Sequence, residues 1–167
     1  QKPLIVAGGG VHYSQAADTL RTFSKTFGIP VSETQAGKSA MSWKDPMSVG
    51  SVGVTGTSAA NLLAKDADVV LVVGSRLQDF TTASKLVFAS DVILLHLNVS
   101  KFDGLKMDSI ILQADAKSGL ELLSKELRKV KFQTSAEYRG CVSQLQSEWN
   151  AEVDRLYNLT SEEGNVQ

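Results

Sequence analysis

Few side chains in these 167 residues have a type and spacing that could do chemistry, and Arg76 leads them. It follows the apolar run Val69-Val70-Leu71-Val72-Val73 and then Gly74-Ser75, where a strand should end. A guanidinium there can clamp a phosphate or a carboxylate through two parallel N–H groups, and a salt bridge to Asp79 is the competing use. Gly8-Gly9-Gly10 supplies the first two glycines of a dinucleotide-binding turn. Tyr13 stands where the third belongs and Glu33 is only loosely placed as a ribose acceptor, so a plain tight strand-to-helix turn competes with that reading too. Gly37-Lys38-Ser39 has the ending of a phosphate-binding loop, but Ser32 replaces its first glycine and no helix pattern follows, which rejects it. His96, inside an apolar run, reads as a hydrogen-bonded core histidine, whereas His12 is better placed near a ligand. Neither has a Ser, Cys or Asp partner at a motif spacing, and no Gly-x-Ser-x-Gly elbow occurs, so no catalytic residue is assigned.

The elements that must position these residues alternate in kind. Apolar strand-like runs at Leu4 to Ala7, Ile29 to Thr34, Val69 to Val73, Val92 to Leu97 and Ser109 to Gln113 are separated by helical stretches. The first helix is expected to be capped by Ser14, with Ala16, Leu20, Phe23 and Phe27 on one stripe and Gly28 at its end. Further helices are expected at Thr57 to Lys65, at Thr82 to Ala89, and after the cap Asp115. Gln35 to Pro46 shows no period and reads as a loop. The Val69–Val73 run, four of its five residues β-branched, suits a central strand buried on both faces. The pattern predicts an α/β fold: a doubly wound parallel sheet of five or six strands with helices on both faces. In such a sheet the ligand crevice lies at the carboxyl ends of the strands, which makes Gly9, Gly10, Gly74, Arg76 and Asn98 its candidate lining.

From residue 131 the pattern changes. Tyr138, Val142, Leu145, Trp149, Val153 and Leu156 recur at steps of three and four, the stripe of one long amphipathic helix with no strand after it. The division expected is an α/β domain over residues 1–130 and a helical connector over 131–167. That stripe packs either on its own domain or on a neighbouring domain of a longer protein. A chain beginning with Gln1 and entering a strand within three residues is expected to be a piece of one.

Composition narrows the partners. A formal charge of −1 leaves no basic face for nucleic acid, and no apolar run is long enough to span a membrane. A single Cys141 forms no internal disulfide, and no Cys/His cluster has zinc spacing, so a cytoplasmic protein without structural metal is expected.

Taken together, the runs Lys2 to Val11, Gly28-Ile29-Pro30-Val31, Gly53-Val54-Thr55-Gly56, Ala67 to Leu77 and Leu95-His96-Leu97-Asn98-Val99 resemble the Rossmann-like central domain of thiamine-diphosphate-dependent enzymes of the acetohydroxyacid synthase type. The wording from Glu33 to Trp43, Thr34-Gln35-Ala36-Gly37-Lys38-Ser39 above all, is most similar to the branch that hydrolyses a cyclic 1,2-dione in myo-inositol catabolism. The resemblance implies a parent with two flanking domains that bind thiamine diphosphate and magnesium between them, usually in a homo-oligomer. It implies cleavage of a carbon–carbon bond by that parent and a non-catalytic role for this chain, with no cofactor of its own. The family's metal motif is absent, since Phe102-Asp103-Gly104 lacks the leading glycine. Flavin adenine dinucleotide, held in this crevice by the acetolactate-forming relatives, is not expected, because Arg76-Leu77-Gln78-Asp79-Phe80 keeps only one Arg and one acid of their run and Asn98 and Ser100 stand where they have Asp. The other readings are a central domain of an acetolactate-forming or oxalyl-decarboxylating enzyme, and a stand-alone nucleotide-binding module.

Overall fold

The computed structural model describes residues 1–158. The strands are β1 Pro3–Ala7, β2 Val31–Glu33, β3 Ser48–Ser51, β4 Val69–Val73, β5 Ile93–Asn98 and β6 Ile110–Gln113, all parallel, in the order β3-β2-β1-β4-β5-β6. The chain winds outward from β1 to β3, returns to β4, and winds outward the other way, so the order reverses between β1 and β4. A crevice opens at the carboxyl ends of strands at such a reversal.

Successive strand residues face opposite sides of the sheet, which explains why the apolar runs are unbroken. Ile5, Ala7, Leu71, Val73 and Leu97 pack with Leu20, Phe23 and Phe27 of α2 (Ala17–Phe27) and with Leu120 of α6 (Ala116–Lys129). Leu4, Val6, Val70, Val72 and Leu94 pack on the other side with Ala60, Leu63 and Ala64 of α3 (Ser58–Asp66) and with Tyr138 and Val142 of α7 (Ala136–Tyr157). The caps follow the sequence. Thr57 accepts from the Ala60 N–H, Asp115 from those of Lys117 and Ser118, and Gly28 ends α2 with φ at +68°.

Local departures from the sequence pattern have physical causes. Ser14 does not cap α2: a separate turn α1 (Gly10–Tyr13) stops there, Gln15 takes φ +50°, and the Ser14 hydroxyl instead accepts the N–H of Ala116. β3 escapes a reading by alternation because it is four residues long, with Gly50 at φ +82° and a register shift against β2. The helix expected at Thr82 to Ala89 is α4 (Asp79–Thr82), and Ala83, Ser84 and Lys85 all have positive φ, which turns the chain back so that Val87 and Phe88 are buried. β5 is not covered throughout: Ile93 is 50% exposed at its start, whereas Leu97 at its end lies under α6.

The long helix α7 crosses the opposite end of the sheet from the crevice. Thr134 donates to the Gly28 carbonyl, Tyr138 to that of Pro3, and Gln146 to that of Ser48, the first residue of β3. Tyr138 and Val142 are buried, Leu145, Trp149 and Val153 are half-buried, and Leu156 is exposed. The stripe therefore serves its own domain in the first half of the helix and emerges from it in the second. The end of the expected connector, 159–167, lies outside the described residues.

Candidate functional site

Two glycine turns built back to back form the floor of the crevice. The Gly8 N–H donates to the Val73 carbonyl at 2.8 Å and the Gly10 N–H to that of Gly74 at 2.9 Å. A Cβ on Gly10 would stand 2.6 Å from the Gly74 Cα, and one on Gly74 equally close to the Gly10 Cα, so neither position has room for a side chain. Gly74 also has φ +60°, the left-handed conformation that glycine adopts without penalty.

Around this floor lies a cleft of about 720 Å³, and Gly9, Gly10, Gly74, Arg76 and Asn98 all line it. Arg76 is exposed and forms no ion pair among the described residues, so Asp79 is not its partner. Asn98 is already committed at both ends: its amide N–H donates to the Ser75 carbonyl at 3.1 Å and its oxygen accepts the Ser100 N–H at 3.1 Å. His96 is completely buried, as its apolar run implies, and its Nε2 lies 2.6 Å from the same Ser75 carbonyl. Burial holds its pKa below the ordinary histidine value, against the opposing effect of the Ser75 hydrogen bond.

Other candidates fall elsewhere. His12 is exposed and does not line the cleft; its Nε2 lies 3.0 Å from the Lys38 carbonyl. The Glu33 carboxylate is buried and accepts the Met41 N–H at 2.7 Å, which ties the loop after β2 rather than facing a ribose. Gly37 ends a 3-10 turn over Gln35–Gly37, so Lys38 has no helix start behind it.

Two acidic residues reach the cleft that sequence reasoning left out, Asp103 and Asp115, together with Tyr13 and Ser14. Asp115 follows β6 directly, so its place at a strand's carboxyl end was a usable signal; its value as a helix cap hid it. A hydrogen bond with Ser14, then the N–H groups of Ser118 and Lys117, hold its carboxyl below the usual carboxylate range. Asp103 lies 3.5 Å from the Lys106 ammonium. The cleft thus offers one cation at its rim, two acids already engaged, and a floor of bare backbone. That arrangement suits binding or support rather than bond-making. Among the described residues no group of three or more His, Cys, Asp or Glu could hold a metal ion.

Comparison with known proteins agrees with this architecture. Residues 1–123 match the family described as thiamine pyrophosphate enzyme, central domain. A 3D-(3,5/4)-trihydroxycyclohexane-1,2-dione hydrolase of Clostridium tetani is 46% identical over 160 residues, 95% of this chain and 24% of that protein. A protein of the same name from Clostridium botulinum is 47% identical over 164 residues, 98% of this chain and 25% of its own length, and one from Bacillus cereus is 43% identical over 160 residues, 95% and 24% of the two chains. The chain spans about a quarter of the length of these curated relatives. With the switch point between β1 and β4, the glycine floor and a family match covering most of its length, the chain belongs to the central-domain family of thiamine pyrophosphate enzymes.

Proposed function

We propose that this chain is the non-catalytic central domain of a thiamine-diphosphate-dependent hydrolase that cleaves the carbon–carbon bond of a cyclic 1,2-dione in myo-inositol catabolism. The observation that carries the reading is identity of 46–47% with dione hydrolases over 95–98% of the chain.

The coenzyme supplies carbanion chemistry when bound. The residues of this chain do not fit it. Asp103, in the run nearest to the family's metal motif, faces Lys106, and Gly104 after it is packed against His96 and Ile111. The buried carboxylate of Glu33 is held by its own loop. On this reading thiamine diphosphate and magnesium are held by flanking domains of the same protein, which is a cytoplasmic homo-oligomer. What this chain does is hold a rigid glycine floor, present Arg76 at the rim of the cleft, and lead out through the second half of α7. On this reading residues 1–130 are the central domain and 131–167 the helical connector.

The test is an assay of the full-length protein on the cyclic dione and on pyruvate. Hydrolysis of the dione without acetolactate formation is expected. Acetolactate from pyruvate, with the dione untouched, overturns the assignment.

A further inference from the structure

We propose that His96 and Asn98 are the positioning residues of the cleft, their ring and amide N–H groups converging on the Ser75 carbonyl to fix the turn that presents Arg76. The inference does not depend on which substrate the parent takes.

The register explains the convergence. Val72 pairs with His96 and Val73 with Leu97, so the carboxyl end of β5 lies alongside the Gly74-Ser75-Arg76 turn. His96 and Asn98 are two apart on one strand and share a face. Both reach the one carbonyl, at 2.6 Å from the ring and 3.1 Å from the amide. The turn needs such a hold. Gly74 has φ +60° and Leu77 φ +47°, an unfavourable conformation for a residue with a Cβ, while the Leu77 side chain is buried in the core. The Ser75 hydroxyl accepts the Leu77 N–H at 3.1 Å, so the same serine carries both restraints. Asn98 also accepts the Ser100 N–H, which couples the turn after β4 to the turn after β5, the two rims of the cleft.

A carbonyl only accepts, so Nε2 carries the proton of a neutral ring. Nδ1 is buried with no hydrogen-bond partner among the described residues. It lies 3.2 Å from where a Cβ of Gly104 would stand, in space that only glycine leaves. Along the sheet His96 meets Val72 and Ile111, both apolar. The charged groups facing it are Asp103, which favours the protonated ring, and Lys106, which opposes it. A second proton on Nδ1 would find no acceptor in place. The folded pKa is below the unfolded one, so the contribution of His96 is complete above the ordinary histidine value and is lost as pH falls through the lowered folded value. Acid therefore loosens the Arg76 turn.

Hydrogen exchange of backbone amides in the intact protein, corrected for intrinsic rates, tests this from neutral pH down to the acid limit of folding. The Leu77 amide is expected to lose protection about tenfold relative to Val72 as pH falls below the ordinary histidine range and through the lowered His96 value, the scale of one buried hydrogen bond. H96Q keeps an N–H donor that does not titrate and should hold slow exchange with no pH dependence. N98A, at a less buried position, should speed Leu77 exchange about tenfold at pH 7 while Val72 is unchanged. Leu77 protection that is flat with pH in the wild type and untouched by N98A overturns the proposal. So does a parallel loss at Val72 and Leu77, which would mark both residues as merely structural.

Discussion

The Tyr138 hydroxyl donates a hydrogen bond of 2.8 Å to the carbonyl of Pro3, joining α7 to the first residue of β1 across 135 positions of chain. The ring is 6% exposed, and burial pushes the phenol well above its ordinary pKa. Tyr138→Phe should cost about 0.5–1.5 kcal/mol in urea denaturation, the usual net value of such a bond. A raised folded pKa gives stability that is complete below the unfolded value of about 10 and is lost as pH rises beyond it. The wild type should weaken above that pH and the Phe variant should weaken less; identical alkaline profiles would contradict the buried role.

The helix that carries Tyr138 changes character along its length. Val142 is 1% exposed in the core, and Val153 is half-buried beyond the edge of the sheet. Val142→Ala should cost about 1.5–3 kcal/mol, and Val153→Ala under about 0.5 kcal/mol. Comparable losses at the two sites in thermal melting would show that the far half of α7 is held by the domain itself, against a connector role.

Glycines 10 and 140 make an internal contrast. A Cβ at Gly10 meets the Gly74 backbone at 2.6 Å, which cannot swing aside, while one at Gly140 meets nothing within 4 Å on an exposed helix face. Gly10→Ala should destabilise by about 1–3 kcal/mol through overpacking. Gly140→Ala should stabilise by roughly 0.5–1 kcal/mol. A neutral Gly10→Ala would mean that the floor of the cleft is looser than the structure has it.

The long-range plan was legible because unbroken apolar runs such as Val69–Val73 have few solutions other than buried parallel strands, and Gly28 and Asp115 mark helix ends by their own chemistry. What escaped was set by tertiary contact. Ser48–Ser51 becomes a strand through its pairing with β2, not through alternation. Ser14 looks like a cap until its hydroxyl is found on the first turn of α6, far away in sequence. At the cleft, the strand-end rule named Gly9, Gly10, Gly74, Arg76 and Asn98 as candidate lining, and all five border it. No spacing rule could show that Asn98 is spent on Ser75 and Ser100, because that depends on the register of β4 against β5.

Calorimetric titration of the 167-residue chain with thiamine diphosphate and magnesium should give no saturable heat. The acids nearest the cleft already serve Lys106 and the start of α6, and no other cluster among the described residues can take a metal. Micromolar binding by this chain alone would remove the assignment of the coenzyme to other domains.

Flavin should not co-purify with the protein. A flavin dinucleotide in this cleft needs charged acceptors for its ribose hydroxyls and cations for its diphosphate, and the cleft supplies Arg76 alone at the rim. Asn98 carries no charge, and its amide already donates to the Ser75 carbonyl and accepts the Ser100 N–H, so it offers a ribose no charged acceptor. Asp115 is held by Ser14 and the α6 amides, and Asp103 by Lys106. Each hydrogen bond to a charged group that is lost removes about 1.5–3 kcal/mol, so two of them weaken binding by roughly a hundredfold or more. Absorbance between 350 and 500 nm is the measurement, taken on purified protein before and after denaturation. A colourless protein is expected. A yellow one that releases flavin on unfolding would show that the Asn98 amide can be drawn away from Ser75, and would move the parent towards the acetolactate-forming branch.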